Sequence, residues 1–86
     1  MSYFGTERVD LHGKNVYQSK VILDSLLRKA RAGLYRIVVI HGYNYGTELR
    51  DMVRTRYANH PKVIRIEKGS NEGETILVLR ERYRTL

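Results

Sequence analysis

Two short apolar runs end in the same pair of residues, VDLHG at 9–13 and VVIHG at 38–42, in a chain with three histidines in all. Asp10 and His12 stand two apart, so on a strand their side chains project from one face. A carboxylate beside an imidazole fixes its tautomer and stabilises its protonated form, which prepares a general base or acid. The plainer role for the pair is structural, with Asp10 accepting backbone amides and His12 capping the helix that follows. Taken singly, His41 is likewise a satisfied strand-end residue. Taken together, two histidines on one edge suit phosphodiester cleavage, dividing the acid and base work or holding the phosphate when protonated. His60 falls at the end of a helix, away from that edge, and reads as its C-terminal cap.

The second run continues as HGYNYGTELR, bringing glycine-bracketed loop amides, a helix start and Arg50 within the first helical turn. Glycine there lets the backbone approach a phosphate closely. The G-K-[ST] element of a phosphate-binding loop is missing, which rules out nucleoside triphosphate hydrolysis. Tyr43 and Tyr45 are placed to stack on unpaired bases. Tyr45 suits packing beneath the loop equally well, whereas Tyr43 favours exposure. No residues show the spacing of a dedicated metal site. The one candidate cation is Mg²⁺, held through water by Asp10 with Glu72 or Glu74.

A few elements must position these groups. ERVDLHG is a short strand, apolar at Val9 and Leu11 and halted by Gly13. KNVYQSKVILDSLLRKARAG predicts a helix capped by Asn15, with Val16, Leu23, Leu26, Leu27 and Ala30 at helical spacing and a stop at Gly33. YRIVVIH is almost continuously apolar, as in a strand well inside a sheet. TELRDMVRTRYANH predicts a second helix with Thr47 as N-cap and an end before Pro61. KVIRIEKG alternates as a strand, SNEGE is a loop, and TILVLR is the last strand. The order β-α-β-α-β-β occupies one domain over 1–86, with a core of about 7–80 and a basic tail at 81–86.

Helix-linked strands run parallel with right-handed crossovers, and the last two strands form an antiparallel hairpin. The expected fold is an α/β two-layer sandwich, a four-stranded mixed sheet with two helices on one face. His12, His41, the GYNYG loop and the KGSNEGET loop then share one edge with both helix N-termini, where open α/β sheets bind ligands and anions.

Charge narrows the partner. The 86 residues carry a formal net charge of +7. Residues 1–26 are balanced, with Arg8, Lys14 and Lys20 against Glu7, Asp10 and Asp24, so the surplus lies beyond. Arginine dominates it, and its planar fork suits phosphate. A polyanion, DNA or RNA, is the expected partner. The lack of cysteine excludes disulfides and thiolate metal sites and favours a reducing, cytoplasmic setting. MSYFGTERVD lacks the pattern of a signal peptide, and no stretch reaches the length of a membrane span.

The chain resembles the Smr (small MutS-related) domain family from Val9 to Leu79. VDLHG is similar to the family's L-D-x-H-G, VVIHGYNYGTELR to its I-I-H-G-x-G-x-G-x-L-R, and NHPKVIRIEKGSNEGETILVL to its ending. The resemblance implies the fold of the C-terminal domain of translation initiation factor three. It also implies nicking or cleavage of DNA or RNA, by hydrolysis or transesterification. Family members occur alone or at the end of mismatch-repair-like and ribosome-associated proteins, which implies those partners and a place in DNA repair or recombination. Carried over by position, it marks Asp10 and His12 as catalytic or substrate-contacting. It places His41, Gly42, Gly46 and Arg50 in the second motif and Gly73 and Thr75 in the third. The expected site reads His41 as catalytic beside Asp10 and His12. It reads the loop residues Tyr43, Asn44 and Tyr45 as nucleic-acid-binding, together with Gly42, Gly46, Arg50, Gly73 and Thr75. Two departures stand out. Tyr43 and Asn44 replace a basic residue followed by glycine, and Glu72 and Glu74 occupy places where small residues are common. A module that binds nucleic acid without cutting it, or docks on a ribosome or protein, is the alternative.

Overall fold

The computed structural model describes residues 5–43 and 47–81. Its elements are β1 (Thr6–Asp10), α1 (Val16–Lys29), β2 (Arg36–Ile40), α2 (Glu48–Ala58), β3 (Arg65–Lys68) and β4 (Glu74–Val78), the expected order. The Asn15 side chain accepts from the Gln18 amide while the Gln18 side chain accepts from the Asn15 amide, so a reciprocal capping box starts α1. The helix ends before Gly33: Ala30 is already extended, and Leu34 N–H donates to the Arg31 carbonyl at 2.9 Å to turn the chain into β2. Thr47 precedes α2 as expected, but its hydroxyl donates to Asp51 at 2.9 Å rather than capping the backbone.

The sheet order is β1-β2-β4-β3. β1 and β2 are parallel, and β4 is antiparallel to both β2 and β3, so β1, β2 and β3 run the same way. β4 therefore lies between β2 and β3, in the interior of the sheet.

Alternation along the strands separates two faces. Ile37, Val39 and Leu77 join Leu23 and Leu27 of α1 and Val53 and Tyr57 of α2 in one buried cluster, which puts both helices on the same face. Each fully buried leucine contributes about 1.5–3 kcal/mol. The helices are also tied to each other. Tyr57 Oη donates to Asp24 at 2.6 Å and Arg56 to the same carboxylate at 2.9 Å, and burial followed by the hydrogen bond to Asp24 pushes the Tyr57 phenol up to about 12. The other face carries Arg8, Asp10, Arg36, Arg65, Glu67 and Glu74 around Val38, Ile40 and Ile76, with ion pairs from Arg8 to Glu74 (3.3 Å) and Arg65 to Glu67 (2.8 Å). No helix among the described residues is long and apolar enough to cross a membrane.

Candidate active site

The site begins where β1 and β2 stop. Their register sets Asp10 beside Ile40, and Leu11 N–H extends the ladder to the Ile40 carbonyl at 2.7 Å. Gly13 and Gly42 then turn left-handed, at φ 82° and 77°, a conformation that costs an L side chain about 1–2 kcal/mol. His12 and His41 are each followed by glycine because the chain leaves the sheet through that turn.

The register has a second effect. Position 11 lies beside 41 and position 12 beside 42, so Leu11 and His41 face the helical layer while His12 follows Asp10 to the helix-free face. A Cβ built on Gly42 would sit 3.6 Å from His12 Cβ, which places the ends of both motifs in contact. The two histidines share an edge and not a face.

His12 is open. Its Nδ1 lies 2.5 Å from Asp10 Oδ1, and its backbone N–H donates to the same oxygen at 3.1 Å. These bonds from the ring and then the amide hold the Asp10 carboxyl below its ordinary value, so it is ionised at neutral pH. A carboxylate only accepts, so Nδ1 carries the proton and the free lone pair of the neutral ring is on Nε2. That nitrogen has no partner among the described residues, and the side chain is 71% exposed. Lys14 stands near enough for its charge to add to the lowering at Asp10.

His41 is closed. It is 5% exposed, and Nδ1–H donates to the Gly42 carbonyl at 2.8 Å. In the neutral ring Nε2 accepts from the Thr75 hydroxyl at 2.9 Å, and Thr75 Oγ1 in turn accepts from Arg54 Nε at 3.1 Å. Burial, reinforced by the Arg54 and Arg50 charges, pushes the imidazole below its ordinary value and favours this neutral form. Thr75 itself is fully buried.

Gly73 ties the third motif to the second. Its carbonyl accepts from His41 N at 2.9 Å and Gly42 N at 3.1 Å, while its own N–H donates to Asn71 Oδ1 at 2.8 Å. A Cβ there would meet the Tyr43 ring at 3.1 Å, Asn71 Oδ1 at 3.2 Å and Gly42 Cα at 3.3 Å, a tight approach that a larger residue makes only if these neighbours shift by a few tenths of an ångström. Tyr43 is 59% exposed with its ring edge against Gly73. Arg50 donates to Asp51 at 3.3 Å, and the first turn of α2 holds two acids, Glu48 and Asp51, which already answer its helix dipole. Asn44, Tyr45 and Gly46 lie outside the described residues.

The expected Mg²⁺ carboxylates do not assemble. Glu74 accepts from Ser70 N and Oγ and pairs with Arg8, Glu72 faces Lys68, and no group of three or more His, Cys, Asp or Glu among the described residues could hold a metal ion. Arg54, Lys14 and Asn71 are the site residues that the motifs did not mark. Arg54 was within reach, one helical turn beyond Arg50 on the same face of α2.

Three glycine-bearing turns converging on one edge of a β1-β2-β4-β3 sheet, with both helices behind it, define a two-layer α/β domain with a single built edge. The Smr domain family matches residues 9–80, and the chain belongs to it, a family of nucleic-acid-binding, nicking-endonuclease-type modules. The crystal structure of the Smr domain of Thermus thermophilus MutS2 superposes with a TM-score of 0.77 at 28% identity, covering 87% of this chain and 99% of that one. No match was found among curated proteins.

Proposed function

We propose that this Smr domain binds DNA or RNA across the His12 edge and cleaves a phosphodiester there. The observation that carries the proposal is the Asp10–His12 pair, an exposed imidazole whose tautomer is set by a carboxylate and whose Nε2 faces solvent. Nε2 takes the proton of the attacking oxygen, a water or a ribose 2′-hydroxyl. The new P–O bond forms as the opposite P–O bond breaks; the departing oxygen takes its proton from solvent, and the His12 imidazolium then returns its proton to solvent. His12 is the catalytic residue and Asp10 positions it.

His41 acts through the backbone. Its ring, held by Thr75 and Arg54, fixes the Gly42 carbonyl, and Gly42 packs on His12. Tyr43 offers an exposed ring for an unpaired base. The amides around Asn44 and Gly46, with Arg50 and Lys14, hold the phosphate. Gly73 and Thr75 shape the edge rather than touch the strand. A cysteine-free chain fits a reducing, cytoplasmic setting, and the basic surface fits ribosomal or repair-associated nucleic acid.

The test is incubation with end-labelled single- and double-stranded DNA and RNA, with and without Mg²⁺. His12→Ala should leave binding nearly intact and reduce cleavage by about 10²–10⁴-fold, with a smaller parallel loss in Asp10→Asn. Equal cleavage by wild type and His12→Ala overturns the assignment. Wild type that binds every probe and cuts none makes the domain a binding module.

A further inference from the structure

The charge surplus that pointed to a polyanion is not gathered at the edge just described. Arg50 is paired with Asp51, and Arg54 is spent on Thr75. Among the described residues, the basic side chains without a hydrogen bond or ion pair are Lys14, Lys20, Arg28, Lys29, Arg31 and Arg80. The last four lie at the other end of the molecule. Arg28 and Lys29 close α1, Arg31 follows it, and Arg80 follows β4.

Two adjoining clefts open at that pole. One, of about 400 Å³, is lined by Lys29 and Arg31 beside Leu26 and Leu34. The other, of about 290 Å³, is lined by Arg31, Lys62 and Arg80 over Leu34, Ile64 and Leu79. Arg31 and Leu34 belong to both, so the clefts form one groove. Among the described residues, Glu7 is the one carboxylate lining either. Lys62 Nζ donates to the Leu27 carbonyl at 2.8 Å, which fixes a cation in the groove wall.

We propose that this groove is a second nucleic-acid contact, a backbone clamp distant from the chemistry, deepening the function proposed above. Arginines on an apolar floor suit a sugar-phosphate strand: the guanidinium forks take phosphates, and Ile64 and Leu79 lie under sugar or base. An acidic peptide shares the charge logic. A polyanion long enough to reach the His12 edge is favoured, because that edge has few free cations of its own.

The spacing sets the length. Leu34 and His41 flank β2 seven positions apart, roughly 23 Å at about 3.3 Å per step of extended chain. Duplex of that length is about seven base pairs, at ~3.4 Å per pair. Shorter nucleic acid engages one pole; longer nucleic acid engages both.

The experiment compares hairpins with stems of about 5 and about 18 base pairs on wild type and on the Lys29→Gln, Arg31→Gln, Arg80→Gln variant, titrated over salt. Glutamine keeps much of the side-chain stem, so the exposed sites remain folded, which a thermal melt confirms. The variant should bind the long stem about 10–100-fold more weakly, with a salt slope smaller by about 2–3, since each neutralised phosphate contributes about 0.9. Its short-stem affinity should fall by a clearly smaller factor than its long-stem affinity, so that the advantage of the long stem shrinks, and its cleavage rate at saturating substrate should stay within about twofold of wild type. Unchanged long-stem affinity overturns the clamp, as does equal weakening on both stems, which would mark a diffuse field. Capture of an acidic apolar peptide with the long stem unaffected overturns it too and gives the groove to a protein. Failure of the His12 proposal is a separate event, read from cleavage by His12→Ala, and leaves the length dependence standing.

Discussion

Replacing Thr75 by valine removes one hydroxyl from the centre of the Arg54–Thr75–His41 chain while nearly preserving shape. The hydroxyl is fully buried, 2.9 Å from His41 Nε2 and 3.1 Å from Arg54 Nε. After the change, the buried Nε2 acceptor has no partner, a penalty of about 1–3 kcal/mol. The Arg54 guanidinium loses an acceptor at a half-buried position where water replaces part of it, adding about 1 kcal/mol, and the new methyl returns about 0.8 kcal/mol. The net loss is about 1.5–3 kcal/mol, a fall in Tm of about 6–24 °C for a domain of this size. Thr75→Ser keeps the hydroxyl and gives up one methyl, about 1 kcal/mol. Urea and thermal unfolding of the three proteins should therefore rank wild type, serine, valine. The His41 Nε2 resonance should move in the valine variant and hold in the serine variant. Valine matching wild type, or serine falling below valine, would refute the hydrogen-bonded chain as the reason for the buried histidine.

Stability should also follow pH through His41. Burial holds the folded imidazole below its ordinary 6.5, so below that pH the unfolded chain binds more protons. The contribution is complete above 6.5 and is lost as pH falls through the lower folded value; urea midpoints that stay flat or rise between neutral and mildly acid pH would contradict it. Asp10 and Glu74 are held below 3.8 and 4.5, so their share is lost only in more acid solution. Ser19 Oγ is buried with no hydrogen-bond partner among the described residues. Ser19→Ala, at an interior position of α1, should therefore raise stability by about 0.5–2 kcal/mol in chemical denaturation, and a loss would mean that the hydroxyl is bonded.

The Asp10–His12 contact was legible in the sequence because two-residue spacing on a strand needs no tertiary knowledge. The same spacing logic could not separate His12 from His41. Both close an apolar run before glycine, and only the pairing of Asp10 with Ile40 puts them on opposite faces. Register is a property of two strands together, and neither strand carries it alone. Arg54 was hidden for a related reason, since its partner Thr75 arrives on β4. Periodicity also left the place of β4 open, because a hairpin partner of β3 fits equally well outside the sheet. The element order, the helix caps at Asn15 and the direction of the first three strands rest on local rules, and these were all readable.

The interior position of β4 bears on how the chain reaches this state. β2 and β3 pair with no common strand until residues 74–78 arrive between them, so the sheet closes last at its middle. A ribosome emits β1, α1, β2, α2 and β3 with an open slot, bordered by the apolar strand RIVVI and two unpaired backbone edges. Such edges invite any extended segment, including the β4 of a neighbouring copy. A nascent or truncated chain ending before Glu74 is thus a template for strand exchange, and the same slot that completes the domain would be the route by which two copies interlock.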